Sequence, residues 1–395
     1  MIIGNGRIFR EDGSFEQGNL YVQDGRIVSR EDYRGPEGQQ DLDASGLYVI
    51  PGLTDIHFHG CMGHDFCDGT REALEQIAEY QLANGVTAIC PASMTFPEEK
   101  LAGIFRNAAA FKAGQEESRK TEGRTLSGGA DLVGINMEGP FIAMEKKGAQ
   151  NGAYIQRPDA DKFFRLQEAA GGLVRLVDIA PEVDGGLECI GQIAGQVRVS
   201  LAHTTADYDT AKEAFAKGAC HVTHLYNAMP PFSHRAPGVV GAACDTEGVM
   251  AELICDGVHI HPASVRTTFR MLGDERIILI SDSMMACGLE DGQYTLGGQD
   301  VTVRGNVATL TREGNIAGSV TNLMECLRTA VKVMGIPLAS AVKCAAVNPA
   351  KAIGIYDRRG SLAPGKQADV VLLDEDLKIR GIVKDGVVVK KTEQM

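Results

Sequence analysis

The chain has 395 residues, 44% of them apolar and 23% charged, which is the composition of a folded globular protein and not of a disordered one. Its 39 basic and 52 acidic residues leave a net charge of −13, which argues against nucleic acid or an anionic membrane as the main partner. That balance still leaves room for a small anion in a local basic pocket. Forty-seven glycines exceed the usual share of about 7% and, with only 14 prolines, point to many tight turns. The ten cysteines contain no C-x-x-C pair, and several sit inside apolar runs, as in VTAIC and ELICD; they read as free thiols in a reducing compartment. No apolar run is long enough to cross a membrane, and MIIGNGRIFRED lacks the pattern of a signal peptide, so a cytoplasmic location is expected.

Residues 1–50 alternate short apolar pieces with turn signals, and the Asp-Gly at 24–25, between LYV and RIV, predicts a hairpin. Residues 367–390 repeat this character around an Asp-Gly at 385–386. The two ends are therefore expected to form one small β module, covering 1–50 and 356–395. The middle, 51–355, carries eight β-type runs: 47–57, 86–90, 132–138, 173–180, 197–203, 220–224, 250–257 and 276–282. Most are continuously apolar, as in parallel strands buried on both faces. Helical patterns follow several of them, at 71–85, 98–111, 206–218 and 261–273, with another near 318–334. Eight strands alternating with helices predict an α/β (β/α)8 barrel. A doubly wound sheet is the rival, but no G-x-G-x-x-G follows the first strand. The stretch YTLGGQDVTVRGNVATL after run eight reads as an inserted hairpin.

Barrel chemistry gathers at the C-terminal ends of strands, and there the polar residues fall. Run one ends in Asp55, His57 and His59; run three in Glu138; run five in His203; run six in His224; run seven in Asp256 and His259; run eight in Asp282. His57 and His59 are two apart, which on a strand puts both imidazoles on one face. Glu138 follows an apolar run, where a lone carboxylate is costly unless paired or on a cation. Together with His203 and His224 it makes a carboxylate–imidazole set suited to Zn²⁺ or Fe²⁺. Asp282, ending ILISDS, is a candidate acid/base. Each residue also has a plainer reading: a satisfied core histidine, an ion pair for Glu138, a helix cap for Asp282. His221 is three residues from His224 and is expected on the opposite face. His261, before Pro262, is expected to cap a helix. His64 sits in a glycine-flanked loop. The loop HLYNAMPPFSHRAPG (224–238) carries Asn227 and Arg235, a weak candidate anion site.

Several motifs resemble one family. PGLTDIHFHG (51–60), MEGPF (137–141), KKGAQN (146–151), LAHTT (201–205), THLYNAM (223–229), DGVH (256–259), SDS (281–283) and PGKQADVVLLD (364–374) are similar to the N-acetylglucosamine-6-phosphate deacetylases of the amidohydrolase superfamily, over nearly the whole chain. The resemblance implies a barrel with a small β-sandwich built from both ends, and amide hydrolysis of a phosphosugar by one or two divalent metal ions (Zn or Fe, with Mn or Co as further candidates). It implies that Glu138, His203 and His224 hold metal, with His57 and His59 available for a second ion, and that Asp282 is the acid/base. It implies that His259 contacts substrate and polarises its carbonyl, that Asn227, Ala228 and Arg235 hold the phosphate, and that Ala149, Ile316, Ala317, Gly318 and Ser319 lie at substrate-contacting positions. Arg235 would reach a neighbouring subunit's site, so a homodimer is implied. Some relatives have His where Gln150 stands here, and the lysine that bridges two metals in other branches after strand four is missing. Rival readings are the galactosamine epimer as substrate and an inactive scaffold; retention of every implied ligand argues against the second.

Overall fold

The computed structural model describes residues 1–36, 40–121 and 129–392. Its central feature is a parallel sheet. Strands β1 (Leu53–Asp55), β2 (Val86–Ile89), β3 (Asp131–Leu132, resuming as Ile135–Met137), β4 (Val174–Ile179), β5 (Arg198–Leu201), β6 (His221–Val222), β7 (Met250–Ile254) and β8 (Ile277–Ile280) lie side by side in chain order. The sheet curls until its edges meet. The Asp282 N–H donates to His57 O at 2.9 Å and the His59 N–H to Ser283 O at 2.7 Å, joining the ends of β8 and β1. Such a curled parallel sheet is consistent with the expected barrel, and each of the eight runs contributes a strand.

Nearly every strand residue is buried, which explains the absence of alternation in the sequence. Helices α1 (Arg71–Ala83), α2 (Glu98–Thr121), α3 (Ala160–Ala169), α4 (Gly186–Ile193), α5 (Tyr208–Ala216), α6 (Gly238–Cys244), α7 (Pro262–Leu272) and α8 (Leu323–Lys332) alternate with the strands. Several begin at side-chain caps: Thr70, Asp159, Asp207 and Asn322 accept from first-turn N–H groups, and His261 caps α7 ahead of Pro262, as expected. Helix α2 runs ten residues beyond the predicted 98–111, through a stretch rich in Lys, Gln and Glu that favours helix without an apolar stripe. Below the strands, Ala350, Ala352, Ile353 and Ile355 pack against the interior residues Ile56, Leu176, Ile254 and Ile280 and close that end.

The chain ends form a second sheet, with strand order Val387–Lys391, Ile379–Lys384, Val370–Leu373, Tyr48–Pro51, Ile2–Phe9, Phe15–Gln23, Arg26–Val28. Both predicted hairpins are present. Asp24 and Gly25 have φ of 53° and 68°, and Asp385 and Gly386 of 50° and 81°, the left-handed pair a two-residue turn needs. The Ile27 N–H donates to Lys366 O and the Ala368 N–H to Gly25 O, tying the last of these strands back toward the C-terminal ones. Ile3, Ile8, Leu20, Val49, Val370 and Leu372 form a separate apolar cluster. The run 47–57 thus serves both sheets: Tyr48–Pro51 pairs with Val370–Leu373, and after Gly52 the chain enters β1. A Cβ at Gly52 would lie 2.3 Å from Thr87 Oγ1, so only glycine lets the crossover pass. The inserted hairpin is a three-stranded antiparallel sheet, Gly292–Leu296, Gln299–Arg304 and Val307–Leu310.

Candidate metal centre

At the C-terminal ends of the strands, five imidazoles and carboxylates meet around Glu138. Its Oε1 lies 2.9 Å from His203 Nε2, 3.3 Å from His224 Nε2 and 3.6 Å from His57 Nε2, and its Oε2 lies 3.4 Å from His59 Nε2. Asp282 Oδ1 sits 3.3 Å from His59 Nε2 and 3.8 Å from His57 Nε2. All six residues are buried. Glu138 is delivered by Gly139, whose φ is 73° and where a Cβ would lie 2.1 Å from Thr95 Oγ1.

The arrangement fits a divalent cation. His203 Nδ1–H donates to Lys146 O at 2.7 Å, which leaves Nε2 bare and facing His224 Nε2 at 3.3 Å. His57 Nδ1–H is held by Glu252 Oε2 at 3.0 Å, and its buried Nε2 has no hydrogen-bond partner. Bare imidazole nitrogens converging on carboxylate oxygens are a donor set for Zn²⁺-type ions. Two groups have ligand atoms all within 4.8 Å of one another, His57–Glu138–His224 and His57–His59–Asp282. They share His57.

The carboxylates make the field at the centre negative, which draws in a cation, proton or metal ion alike. Burial disfavours charge throughout. Three imidazoles nevertheless hold Glu138 well below the usual carboxylate range, and His59 and His57 lower Asp282. Burial opposes charge on His57 too, but Glu252 and Glu138 outweigh it and raise that imidazole well above its ordinary value. Burial pushes Asp55 up to about 7, although Ser281 Oγ donates to it at 2.5 Å.

A cavity of about 320 Å³ opens beside the cluster. His59, Glu138, His203, His224, His259 and Asp282 line it, as do Ala149, Asn227, Ala228, Ile316 and Gly318. His259 is oriented by Asp256, whose Oδ2 lies 2.7 Å from Nδ1. Gln150 reaches the cluster itself: its Nε2 donates to Glu138 Oε2 at 2.8 Å while its Oε1 accepts the Thr95 N–H at 2.7 Å. The inserted hairpin covers one side, fastened by Lys147 to Glu313 at 3.3 Å and by Gln299 Nε2 to Ala149 O at 2.5 Å.

Other expected residues stand apart. Ala317 and Ser319 flank the cavity with buried side chains; Ser319 Oγ donates to Ser281 O at 2.6 Å and so pins the 316–319 segment along Asp282. Arg235 is exposed and outside the cavity lining. His64 lies in a short strand pair with Cys61 and also stays outside. His221 does not face away: its Nε2 is 3.1 Å from Glu252 Oε1, on the carboxylate that holds His57. The strand-period argument fails because β6 ends at Val222 and His224 lies beyond it with φ of 30°.

Three further buried polar residues behind the cluster, Glu252, Asp178 and Asn136, have no counterpart among the residues expected from the sequence. Glu252 Oε2 also accepts the His224 N–H at 3.2 Å, so one carboxylate fixes two candidate ligands. Burial, with Glu138 and Glu252 close by, pushes Asp178 well above the usual range. Each is a polar residue inside an otherwise apolar run, Asp178 beside Arg175 in LVRLVDIA and Asn136 beside Glu138 in LVGINME.

The amidohydrolase family profile matches residues 48–390, and the chain belongs to the amidohydrolase family. Within that family it is 36% identical over 382 residues to the N-acetylglucosamine-6-phosphate deacetylase of Bacillus subtilis, covering 96% of this chain and 94% of that protein. It is 33% identical over 381 residues to the N-acetylgalactosamine-6-phosphate deacetylase of Escherichia coli O157:H7, covering 96% and 97%. The structure superposes, with a TM-score of 0.89 and 32% identity over 99% of both chains, on a mutant N-acetyl-D-glucosamine-6-phosphate deacetylase of Mycobacterium smegmatis in complex with N-acetyl-D-glucosamine-6-phosphate.

Proposed function

We propose that the protein is a metal-dependent deacetylase that hydrolyses N-acetyl-D-glucosamine 6-phosphate to D-glucosamine 6-phosphate and acetate. The observation that carries this is the convergence of His57, His203 and His224 Nε2 on Glu138 Oε1, with Asp282 Oδ1 beside them. Glu138, His203 and His224 would hold one divalent ion, and His57 and His59 a second; the donor set suits Zn or Fe, and also Mn or Co. When bound, such an ion supplies acidity to water and draws charge from a carbonyl oxygen.

The chain's own residues do the rest. Asp282 takes a proton from the water that adds to the acetyl carbon. The C–N bond then breaks, and Asp282 returns the proton to the departing amine, giving acetate and the amino sugar. His259, held in one orientation by Asp256, is placed to stabilise the carbonyl oxygen as it gains charge, an effect typically worth a few kcal/mol. Asn227, Ala228 and Arg235 would grip the phosphate, with Ala149 and the 316–319 segment along the sugar, so that binding aligns the amide with Asp282. Exposure of Arg235 suits a reach into a partner's site and hence a homodimer. The terminal sheet, 1–50 with 356–395, reads as a small β-sandwich beside a barrel of 51–355, supported by its separate apolar cluster. The ten free thiols favour a reducing, cytoplasmic setting.

The galactosamine epimer is the second reading, favoured by the 33% identical relative in Escherichia coli. Acetate release from both phosphosugars, with metal content measured on the same sample, tests both. Faster release from the glucosamine epimer by metal-loaded protein is expected; release that survives exhaustive chelation would overturn the proposal.

A further inference from the structure

We propose a second ligand site: an oxyanion pocket at the N-terminal end of the barrel strands that takes the phosphate group of free phosphate or of a small phosphate monoester. A cavity of about 410 Å³ lies there, where α2 and β4 meet the chain leading into the terminal sheet. Among the described residues its charged lining is Lys112, Arg119, Arg175, Arg358 and Arg359, against the single carboxylate of Glu116. Five cations to one carboxylate is unexpected in a chain of net charge −13.

Two of these cations are already committed. Arg359 pairs with Asp131 and Asp369, and Arg119 with Asp131. Lys112 has Glu116 at 3.4 Å. Arg175 is different: among the described residues it has no ion pair or hydrogen bond, and its Nε is buried without a partner. Arg358 has, among the described residues, Asp357 as its ion-pair partner, at 3.6 Å, with both side chains largely exposed.

Arg175 is placed there by a specific device. In the β3–β4 ladder Ile135 faces Val174 and Asn136 faces Leu176, so Arg175 is the extra residue of a bulge. A bulge re-aims its side chain, and bulges of this kind recur next to functional sites. The Arg175 stem crosses Gly134, where a Cβ would stand 2.3 Å from Arg175 Cγ. Glycine at 134 is thus needed for the guanidinium to reach the cavity. Burial, with Arg119 and Arg359 nearby, lowers the Lys112 pKa, a repulsion that a bound anion would relieve.

Guanidinium groups with free N–H donors bind phosphate oxygens bidentately, and a partly desolvated pocket strengthens the contact. The four residues of β4 beyond Arg175 put roughly 13 Å of strand between it and the catalytic end, so this ligand would not compete with substrate.

The test is calorimetric titration of the full-length, metal-loaded protein with inorganic phosphate and, separately, with glucosamine 6-phosphate. The variants are Arg175→Met, which keeps the stem over Gly134, and Arg358→Ala, which touches only exposed surface. Loss of a phosphate-binding event, or its weakening by about tenfold or more, in both variants is expected, with KM and kcat for the phosphosugar unchanged. Loss of the event for phosphate only assigns the site to the free anion; loss for both ligands assigns it to a phosphate monoester. Wild-type stoichiometry and affinity in the folded Arg358→Ala and Arg175→Met proteins would overturn the proposal, as would a wild-type protein that binds phosphate only in competition with substrate.

Discussion

Glu252→Gln isolates the role of the carboxylate behind the metal centre. Glu252 is fully buried; its Oε2 accepts from His57 Nδ1 at 3.0 Å and from the His224 N–H at 3.2 Å, while Oε1 meets His221 Nε2 at 3.1 Å. Glutamine has the same shape. Its carbonyl oxygen can serve His57 and His224, and its amide can face His221, which has a free Nδ1 and can change tautomer. His57 cannot change tautomer without occupying the nitrogen that faces Glu138. The substitution therefore keeps the geometry and turns three charge-assisted bonds into neutral ones, two of them to candidate metal ligands. At about 1 kcal/mol for each of those two the loss is about 1–2 kcal/mol, or roughly 5- to 30-fold in metal affinity. That agrees with the usual tenfold to hundredfold effect of removing a group that orients a ligand. Glu252→Leu would instead strand three buried polar groups at about 1–3 kcal/mol each, comparable with the stability of a whole domain, and should fail to fold. The assay is competition for zinc against a chromogenic chelator, with melting temperature recorded on metal-free protein. Affinity within twofold of wild type in a normally folded Glu252→Gln protein would refute the orienting role.

Asp282→Asn keeps the hydrogen-bonding shape beside His59 but cannot accept a proton; kcat should fall by at least about 100-fold with metal content unchanged, and near-normal turnover would remove Asp282 from the acid/base role. Arg235→Ala, at an exposed position, should raise KM for the phosphosugar severalfold with little change in kcat or melting temperature, as steady-state kinetics will show. In the ion network that joins the barrel to the terminal sheet, burial disfavours the Asp385 carboxylate, but Lys384 and Arg359 outweigh it and hold its pKa at about 2. Its folded value lies below the unfolded one of about 3.9, so its stabilising contribution is complete above pH 4 and disappears between about pH 4 and pH 2. Urea unfolding across that window should show a steeper loss of stability in wild type than in Asp385→Asn; parallel curves would count against the network.

Parallel strands covered on both faces leave unbroken apolar runs, so all eight strands of the curled sheet could be located from the sequence, and the polar residues closing six of the runs marked the candidate site. Where two signals overlapped, the reading blurred. The run 47–57 is one apolar stretch in sequence but two strands in space, because Gly52 passes the chain from one sheet to the other. Glu252 and Asp178 are carboxylates like Glu138, yet lie inside their runs. Sequence alone gives no sign that their neighbours on other strands are His57, His221 and Thr223. Period-two alternation misplaces His221 because it holds only within a strand, and β6 has just two residues. The bulge that aims Arg175 has no signature in LVRLVDIA, because a bulge is a property of a pair of strands.

The backbone of the centre is less legible still. His203, His224 and Asp282 have φ of 45°, 30° and 48°, a left-handed conformation that costs a non-glycine residue about 1–3 kcal/mol. Glycine would relieve that strain, but it would remove the side chain that each strand end exists to present. The strain persists because each turn is held from both sides. Asp282 donates its N–H to His57 O and accepts from Ser319 N–H at 2.7 Å; His203 O accepts from Ala143 N–H at 2.9 Å; His224 is bonded to Glu252 through its N–H and to Asn227 through its carbonyl. These anchors are themselves parts of the site or of the loops that line it. The same contacts that fold the rim therefore point the imidazoles and the carboxylate inward, and the apolar packing of the strands below offsets the strain and the desolvation that this convergence imposes.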